Sequence, residues 1–168
     1  MGMEAYDKMS FNEMTPNINN SLGCANCHEA NTMRLIVTNP ALKEAFERQG
    51  KDWTTFTRQE MRTVVCANCH VEYYFAGDGK YLTFPWENGT KIENISQYYQ
   101  DEGFKDWEHA QSAAPMIKMQ HPEFELFTNN STHYKAGVAC ADCHMPYTRD
   151  GAAKFSTHDV KSPLLNAE

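Results

Sequence analysis

The stretch from Thr57 to Phe75, TRQEMRTVVCANCHVEYYF, carries the pattern around which the rest of the chain is predicted to fold. It opens with a T-x-x-E capping box between Thr57 and Glu60, in which each side chain bonds the backbone N–H of the other residue and starts a helix. An apolar stripe at helical spacing follows, formed by Met61, Val64 and Val65. The predicted helix carries the motif Cys66–His70 and brings a carboxylate and two phenols directly after it.

All six cysteines of the chain lie in copies of one motif, C-x-x-C-H. The first, second and third motifs are Cys24–His28, Cys66–His70 and Cys140–His144. This motif attaches c-type haem, because two thiols about one helical turn apart each bond a haem vinyl group and the next imidazole binds the iron. The thioether positions would be Cys24, Cys27, Cys66, Cys69, Cys140 and Cys143, and the iron ligands His28, His70 and His144.

Zinc sites and disulfides are competing explanations for the cysteines. A structural zinc site needs four ligands and usually two C-x-x-C pairs, so three pairs leave one unmatched. Disulfides suit an oxidising compartment, but disulfide pairing does not explain a histidine after every second cysteine. The sequence therefore favours haem, with a zinc or disulfide protein kept as an alternative.

Composition indicates one acidic domain over residues 1–168 with a modest core. The chain is 41% apolar and its mean hydropathy is −0.65, so haem macrocycles would add apolar mass to the interior. The formal charge of −7 and the pI near 5.5 argue against a nucleic-acid partner. An anion site would need a local positive pocket. We expect no export signal in the opening residues and no membrane span.

The predicted fold class is mainly α, with few short strands and much irregular chain. A helix is expected from Asn39-Pro40 to Gly50, and a hairpin at residues 75–84 around Asp78-Gly79. A second long helix is expected at 94–113. Residues 1–23, residues 115–122 and the tail after Pro146 are expected to be irregular. The buried stripe of the first of these helices would be Ala41, Leu42, Ala45 and Phe46.

Four histidines lie outside the motifs: His109, His121, His133 and His158. A haem iron with two histidines is closed and transfers electrons, whereas one with an open face can bind a substrate. Spacing alone leaves each of the four as an iron ligand, a support for a ligand, or a surface side chain. A triheme electron carrier without substrate chemistry therefore stays an open alternative to an enzyme.

Several segments together resemble the ammonia-forming cytochrome c nitrite reductases: CANCHVEYYF, GDGKYLTFPW, FKDWEH, APMIKMQHPEFE and CADCHMP. The similarity runs from about Tyr6 to the C-terminus. The resemblance implies a mostly helical, periplasmic, five-haem enzyme, usually a homodimer, that reduces nitrite to ammonium with six electrons. The implied electron source is a donor cytochrome or a quinol-oxidising membrane partner.

The resemblance also implies the role of each haem motif. The three motifs would hold the family's second, third and fourth haems, with His158 as distal ligand of the first motif's haem and His133 serving the family's fifth. The chain has no C-x-x-C-K motif, which holds the family's catalytic haem, no counterpart of its substrate-binding arginine and no fifth motif. We therefore expect a central fragment that reduces nitrite poorly or not at all on its own.

By the same resemblance, Tyr73 and His121 would be catalytic. A calcium ion would be bound by the Glu72 carboxylate, the backbone carbonyls of Tyr73 and Lys118, and the Gln120 side chain. An all-oxygen ligand set suits calcium. Without the resemblance, the same residues would be interpreted as core aromatics and a solvated loop.

Overall fold

A computed structural model describes residues 8–165. The opening residues expected to lack an export signal, including Tyr6, where the resemblance begins, lie outside the described residues, as do residues 166–168 of the tail. The described part is mainly helical, with short antiparallel hairpins and long irregular stretches. The predicted fold class is confirmed.

The α-helices are α1 (Phe11–Met14), α2 (Pro40–Arg48), α3 (Arg58–Val64), α4 (Ile92–Asp101), α5 (Glu123–Thr128), α6 (Thr132–Lys135) and α7 (Cys140–His144). Single 3₁₀ turns span Thr15–Asn17, Cys24–Asn26, Trp53–Thr55, Val65–Asn68 and Pro163–Leu165. The strands pair as β1 (Tyr74–Ala76) with β2 (Tyr81–Thr83), β3 (Trp107–Glu108) with β4 (Pro115–Met116), and β5 (Tyr147–Asp150) with β6 (Ala153–Ser156). Within residues 8–165, each helix is too short or too polar to cross a bilayer.

Helices α2 and α3 begin at their predicted caps. The Asn39 side chain accepts the Ala41 N–H at 3.0 Å, and all four predicted stripe residues of α2 are buried. The Thr57–Glu60 capping box is present, with the Glu60 carboxylate 2.7 Å from the Thr57 N–H. α3 ends at Val64, earlier than predicted, and the chain continues as the tighter turn Val65–Asn68. The second motif therefore starts on a 3₁₀ turn.

The hairpin predicted at 75–84 is confirmed, with Phe75 opposite Leu82. Its loop differs from the two-residue Asp-Gly turn, because the positive φ angles fall at Gly77 (61°) and Lys80 (50°). Asp78-Gly79 form the middle of a four-residue connection. A backbone bond from the Lys80 N–H to the Gly77 carbonyl, 3.2 Å long, closes it.

The helix predicted at 94–113 is wrong beyond Asp101. Gly103 adopts a φ of +63°, a left-handed conformation that glycine accepts without strain, and the Phe104 N–H bonds the Tyr99 carbonyl at 2.9 Å. The chain then forms the β3–β4 hairpin, so residues 115–122 are not irregular throughout. The His109 ring lies 3.1 Å from the Ser112 hydroxyl and stabilises the hairpin turn.

Two further segments expected to be irregular are ordered. Ser10 and Glu13 form a capping box that starts α1 within residues 1–23. In the tail, the β5–β6 hairpin turns at Gly151, where φ is +55°. Both predictions were wrong because the Ser10–Glu13 capping box and the turn at Gly151 each supply a local signal for ordered structure.

Aromatic side chains dominate the core and surround the second motif. Trp86 is fully buried, stacks on Phe124 at 5.3 Å between ring centroids, and contacts Phe46 at 5.8 Å. Ala67 and Val71, on either side of the exposed Cys69 and His70, are also buried in this core. Ala67 and Val71 thus anchor the second motif in the core, while the Cys69 thiol and the His70 imidazole are exposed.

Candidate haem motifs and a candidate calcium site

Each C-x-x-C-H motif forms one helical turn. The His28 N–H bonds the Cys24 carbonyl at 2.8 Å, and the His70 N–H bonds the Cys66 carbonyl at 2.9 Å. The third motif is α7 itself. All six cysteines are free thiols. Nowhere in residues 8–165 are three or more His, Cys, Asp or Glu side chains grouped to hold a metal ion.

The three motif histidines share one arrangement, in which an oxygen atom lies beside Nδ1. The partner is the Met33 carbonyl at 2.8 Å for His28 and the Lys161 carbonyl at 3.1 Å for His144. For His70 it is the Glu123 carboxylate at 3.4 Å. A metal-bound histidine typically uses its second N–H in this way, which orients the ring and leaves Nε2 for the metal. The motifs therefore fit haem iron.

His158, the expected distal ligand of the first motif, lies opposite His28. Their ring centroids are 6.1 Å apart. The two imidazoles are close enough that both could hold one haem iron. His133 is exposed on α6.

Direct hydrogen bonds link the first motif to the second. Asn68 in the second motif accepts the backbone N–H groups of Thr38 and Asn39 through its side-chain oxygen, at 3.1 and 3.0 Å. The Thr38 hydroxyl donates to the Asn26 carbonyl of the first motif at 2.9 Å. The short segment at Thr38 therefore holds the two motifs together.

A buried ion pair links the second motif to the third. Arg62, on α3 and 5% exposed, donates to the Asp142 carboxylate of the third motif at 2.9 Å and to the Ser156 hydroxyl at 2.6 Å. A thiol–thiol hydrogen bond joins Cys66 to Cys140; it raises the pKa of Cys66 and lowers that of Cys140. The three motifs form one connected array.

A cavity of about 170 Å³, here called the Glu72 cavity, lies beside the second motif. The four residues implied as calcium ligands all line it: Glu72, Tyr73, Lys118 and Gln120. Glu72 has no exposed surface; it accepts the Tyr99 hydroxyl at 3.0 Å and the Gln120 N–H at 2.8 Å. Burial raises the pKa of the Glu72 carboxyl. A bound cation would favour its charged form, because opposite charge offsets the cost of burial.

Asp106 also lines the Glu72 cavity, and sequence analysis did not identify it. Its carboxylate accepts the Lys118 N–H at 2.7 Å and so fixes the peptide segment whose carbonyl is an implied calcium ligand. A carboxylate, an amide side chain and backbone carbonyls are the ligand types that calcium prefers. The residues present therefore fit calcium. The segment FKDWEH contained Asp106, but nothing in its local pattern indicated this contact.

Glu125 is a second buried carboxyl group that the sequence did not reveal. One oxygen accepts the Glu72 N–H at 2.9 Å and the Trp86 indole N–H at 2.7 Å, while the other has no hydrogen-bond partner within residues 8–165. Burial raises the pKa of Glu125 to about 7. Glu125 therefore holds the backbone at the Glu72 cavity from the side of the core.

The His121 side chain lies against the second motif. Its backbone N–H bonds the Val71 carbonyl at 3.3 Å, and its ring centroid is 6.2 Å from that of His70. Tyr73 lines the Glu72 cavity, and Gln120, the neighbour of His121, lines it too. The structure thus brings both implied catalytic residues to the region that follows the second motif.

The family model described as cytochrome c552 matches residues 1–168. The chain belongs to the cytochrome c552 family. Among curated relatives, cytochrome c-552 of Parabacteroides distasonis is 51% identical over 98% of this chain and 33% of its own length. Cytochrome c-552 of Porphyromonas gingivalis is 47% identical over 100% of this chain and 34% of its own length.

A solved structure gives the same result. The catalytic subunit of cytochrome c nitrite reductase from Desulfovibrio desulfuricans, which has two calcium sites, matches with a TM-score of 0.76 and 47% identity. The match covers 86% of this cytochrome c552 chain and 33% of that subunit. The chain thus spans about a third of the length of the proteins it matches. Membership of the family implies haem c as the cofactor.

Proposed function

We propose that this chain contributes three covalently bound haems and one side of the nitrite site to a periplasmic cytochrome c nitrite reductase. The enzyme would reduce nitrite to ammonium with six electrons. The observation that best supports this is the Glu72 cavity beside the second motif, which all four implied calcium ligands line: Glu72, Tyr73, Lys118 and Gln120. Similarity to the Desulfovibrio desulfuricans enzyme supports the same proposal.

Tyr73 and His121 would act as hydrogen-bond and proton donors. As the N–O bonds of nitrite break, negative charge grows on oxygen, and a phenol and an imidazole can stabilise it and transfer protons. Haem, when bound, supplies the electrons. The chain carries a net charge of −7, so calcium at the Glu72 cavity would supply local positive potential that favours an incoming anion.

Electrons would reach the nitrite site through the connected motifs. Asn68 and Arg62 hold the second motif against the first and third, which keeps neighbouring haems at short range. We propose that the electrons come from a donor cytochrome or a quinol-oxidising membrane partner, and that the complete enzyme is a homodimer.

A triheme electron carrier is the second candidate; the His28–His158 separation of 6.1 Å suits a closed iron at the first motif in either protein. A carrier would have every iron closed by two axial ligands. An absorption and electron paramagnetic resonance spectrum that is wholly six-coordinate and low-spin would support the carrier. High-spin iron at the second or third motif would support the nitrite reductase.

The test of the proposal begins with the haem-loaded chain, produced with a c-type haem maturation system. We expect the denatured mass to exceed the polypeptide mass by three haems, and the haem absorption band to survive acid–acetone extraction. A mass equal to that of the bare polypeptide would remove the proposal's basis. Nitrite turnover by this chain alone should be poor, and family-like turnover would contradict the proposal that it holds only part of the site.

Calcium binding tests the site itself. Isothermal titration with calcium should show binding to the haem-loaded chain and at least a tenfold weaker affinity for Glu72→Gln, because the variant loses the only carboxylate of the proposed ligand set. Glu93→Gln, an exposed change of the same charge on α4, should bind as tightly as the original chain. Equal affinities for both variants would contradict the proposed calcium site.

A further inference from the structure

The carboxylate of Glu123 lies between two imidazole rings. One oxygen is 3.4 Å from Nδ1 of His70, and the other is 3.9 Å from Nδ1 of His121. The two rings are nearly perpendicular, at 72°. A single side chain therefore contacts both the iron-ligand histidine of the second motif and the implied proton donor.

The fold holds Glu123 in this place. It is the first residue of α5, and backbone hydrogen bonds fix the chain on both sides of it. The His121 N–H bonds the Val71 carbonyl at 3.3 Å, and the Phe124 N–H bonds the His70 carbonyl at 3.1 Å. The segment that carries Glu123 is thus paired with the second motif, so its carboxylate stays beside the two rings.

The second motif differs from the other two in this respect. Nδ1 of His28 and of His144 faces a backbone carbonyl, whereas Nδ1 of His70 faces a carboxylate. A carboxylate carries a full negative charge, and at 3.4 Å from Nδ1 this charge favours a more basic imidazole as metal ligand. A more basic ligand and a nearby negative charge stabilise ferric over ferrous iron and lower the reduction potential.

We propose that Glu123 is a positioning residue that lowers the reduction potential of the haem at the second motif and couples that potential to His121. His121 shares the carboxylate with His70. Each ring lies beside a different oxygen of that carboxylate, so a change at the His121 ring alters the electrostatic field of Glu123 at His70 and reaches the haem.

This inference rests on haem attachment at the second motif, which is part of the proposed function. The two fail in different ways. A denatured mass short of three haems contradicts the proposed function before any potential is measured. A fully loaded chain in which Glu123 has no effect on potential contradicts only the inference.

The first experiment compares Glu123→Gln with Glu87→Gln in the haem-loaded chain. Both changes remove one negative charge from a side chain that is 59% exposed and lies beside a nitrogen of another side chain; Glu87 faces Arg48 at 3.9 Å. Spectroelectrochemical titration, with haem methyl resonances assigning each potential to its motif, is the readout. We expect Glu123→Gln to raise the potential of the second motif's haem and to leave the other two in place. Glu87→Gln should not shift the potential of any one haem relative to the other two.

The second experiment is a double-mutant cycle between Glu123 and His121. His121→Ala should lower the potential of the second motif's haem when Glu123 is present, because the negative charge of Glu123 then faces the His70 ring alone. In the Glu123→Gln background the effect of His121→Ala should disappear. Unchanged potentials in Glu123→Gln, an equal shift of all three haems, or the same His121 effect in both backgrounds would overturn the inference.

Discussion

Gln120 donates its backbone N–H to the carboxylate of Glu72 at 2.8 Å, joining residues that are 48 positions apart. Glu72 follows the second haem motif after one residue, and Gln120 directly precedes His121. This contact therefore aligns a haem anchor with the segment that carries an implied proton donor. It places the implied calcium ligands and the catalytic candidates in one structural unit.

Asp106 should control calcium affinity without binding the ion. Asp106→Asn weakens the acceptor of the Lys118 N–H and lets the Lys118 carbonyl move, so we expect calcium affinity to fall about 10- to 100-fold, as for other residues that orient a metal ligand. Calorimetric titration measures this. Asp101→Asn, an exposed change of the same charge on α4, is the control. Equal affinities in the two variants would show that Asp106 does not orient the site.

Glu125 should make stability depend on pH. Burial raises its pKa from an ordinary 4.5 to about 7, so the fold favours the neutral acid. That stabilisation is complete below about pH 4.5 and is lost as pH rises through about 7. Glu125→Gln cannot ionise and does not lose this stabilisation. As pH rises across this range, the free energy of unfolding of the variant relative to that of the original chain should increase by up to about 3 kcal/mol. Urea unfolding in a calcium chelator measures the difference, and parallel pH curves would contradict the assignment.

Asn68 should stabilise the contact between the first and second motifs. Asn68→Ala removes the acceptor for the Thr38 and Asn39 N–H groups, and we expect a loss of about 2 kcal/mol in the free energy of unfolding at roughly 1 kcal/mol per hydrogen bond. Asn68→Asp keeps an acceptor oxygen and should lose less. Chemical denaturation of the haem-loaded chain compares the two, and equal losses would mean that this acceptor is not the stabilising group.

Arg62 should be the most sensitive polar residue of α3. Arg62→Met leaves Asp142 without its buried partner, and we expect a loss of about 3 kcal/mol, the lower end for such pairs because Asp142 is 26% exposed. Arg58→Met, an exposed change on the same helix, should alter stability by less than about 0.5 kcal/mol. Similar losses in both variants would argue that the ion pair contributes little.

Local capping signals in the sequence correctly predicted where α2 and α3 begin. The Asn39 and Thr57 caps start α2 and α3 because capping is decided within one turn of chain. The same kind of signal was present at Ser10–Glu13 and at Asp150-Gly151, where order was not predicted. α4 is shorter than expected because Gly103 ends it, although helix formers continue beyond it.

The candidate site was only partly predictable because its contacts are long-range. The resemblance identified Glu72 and Gln120, but Asp106 and Glu125 act through bonds to residues 12 and 53 positions away. Asp106 falls inside the helix predicted at 94–113, and Glu125 lies where the sequence predicts no element. A buried carboxylate gives no sign of its burial until the elements that cover it are placed.

The connected motifs have a consequence for how electron flow responds to heat or denaturant. Tunnelling rates fall steeply with the gap between redox centres, and here that gap is set by Asn68 and Arg62 through bonds inside the folded unit. Electron transfer between the haems of the three motifs should therefore stay almost unchanged up to the cooperative unfolding transition, and then stop abruptly.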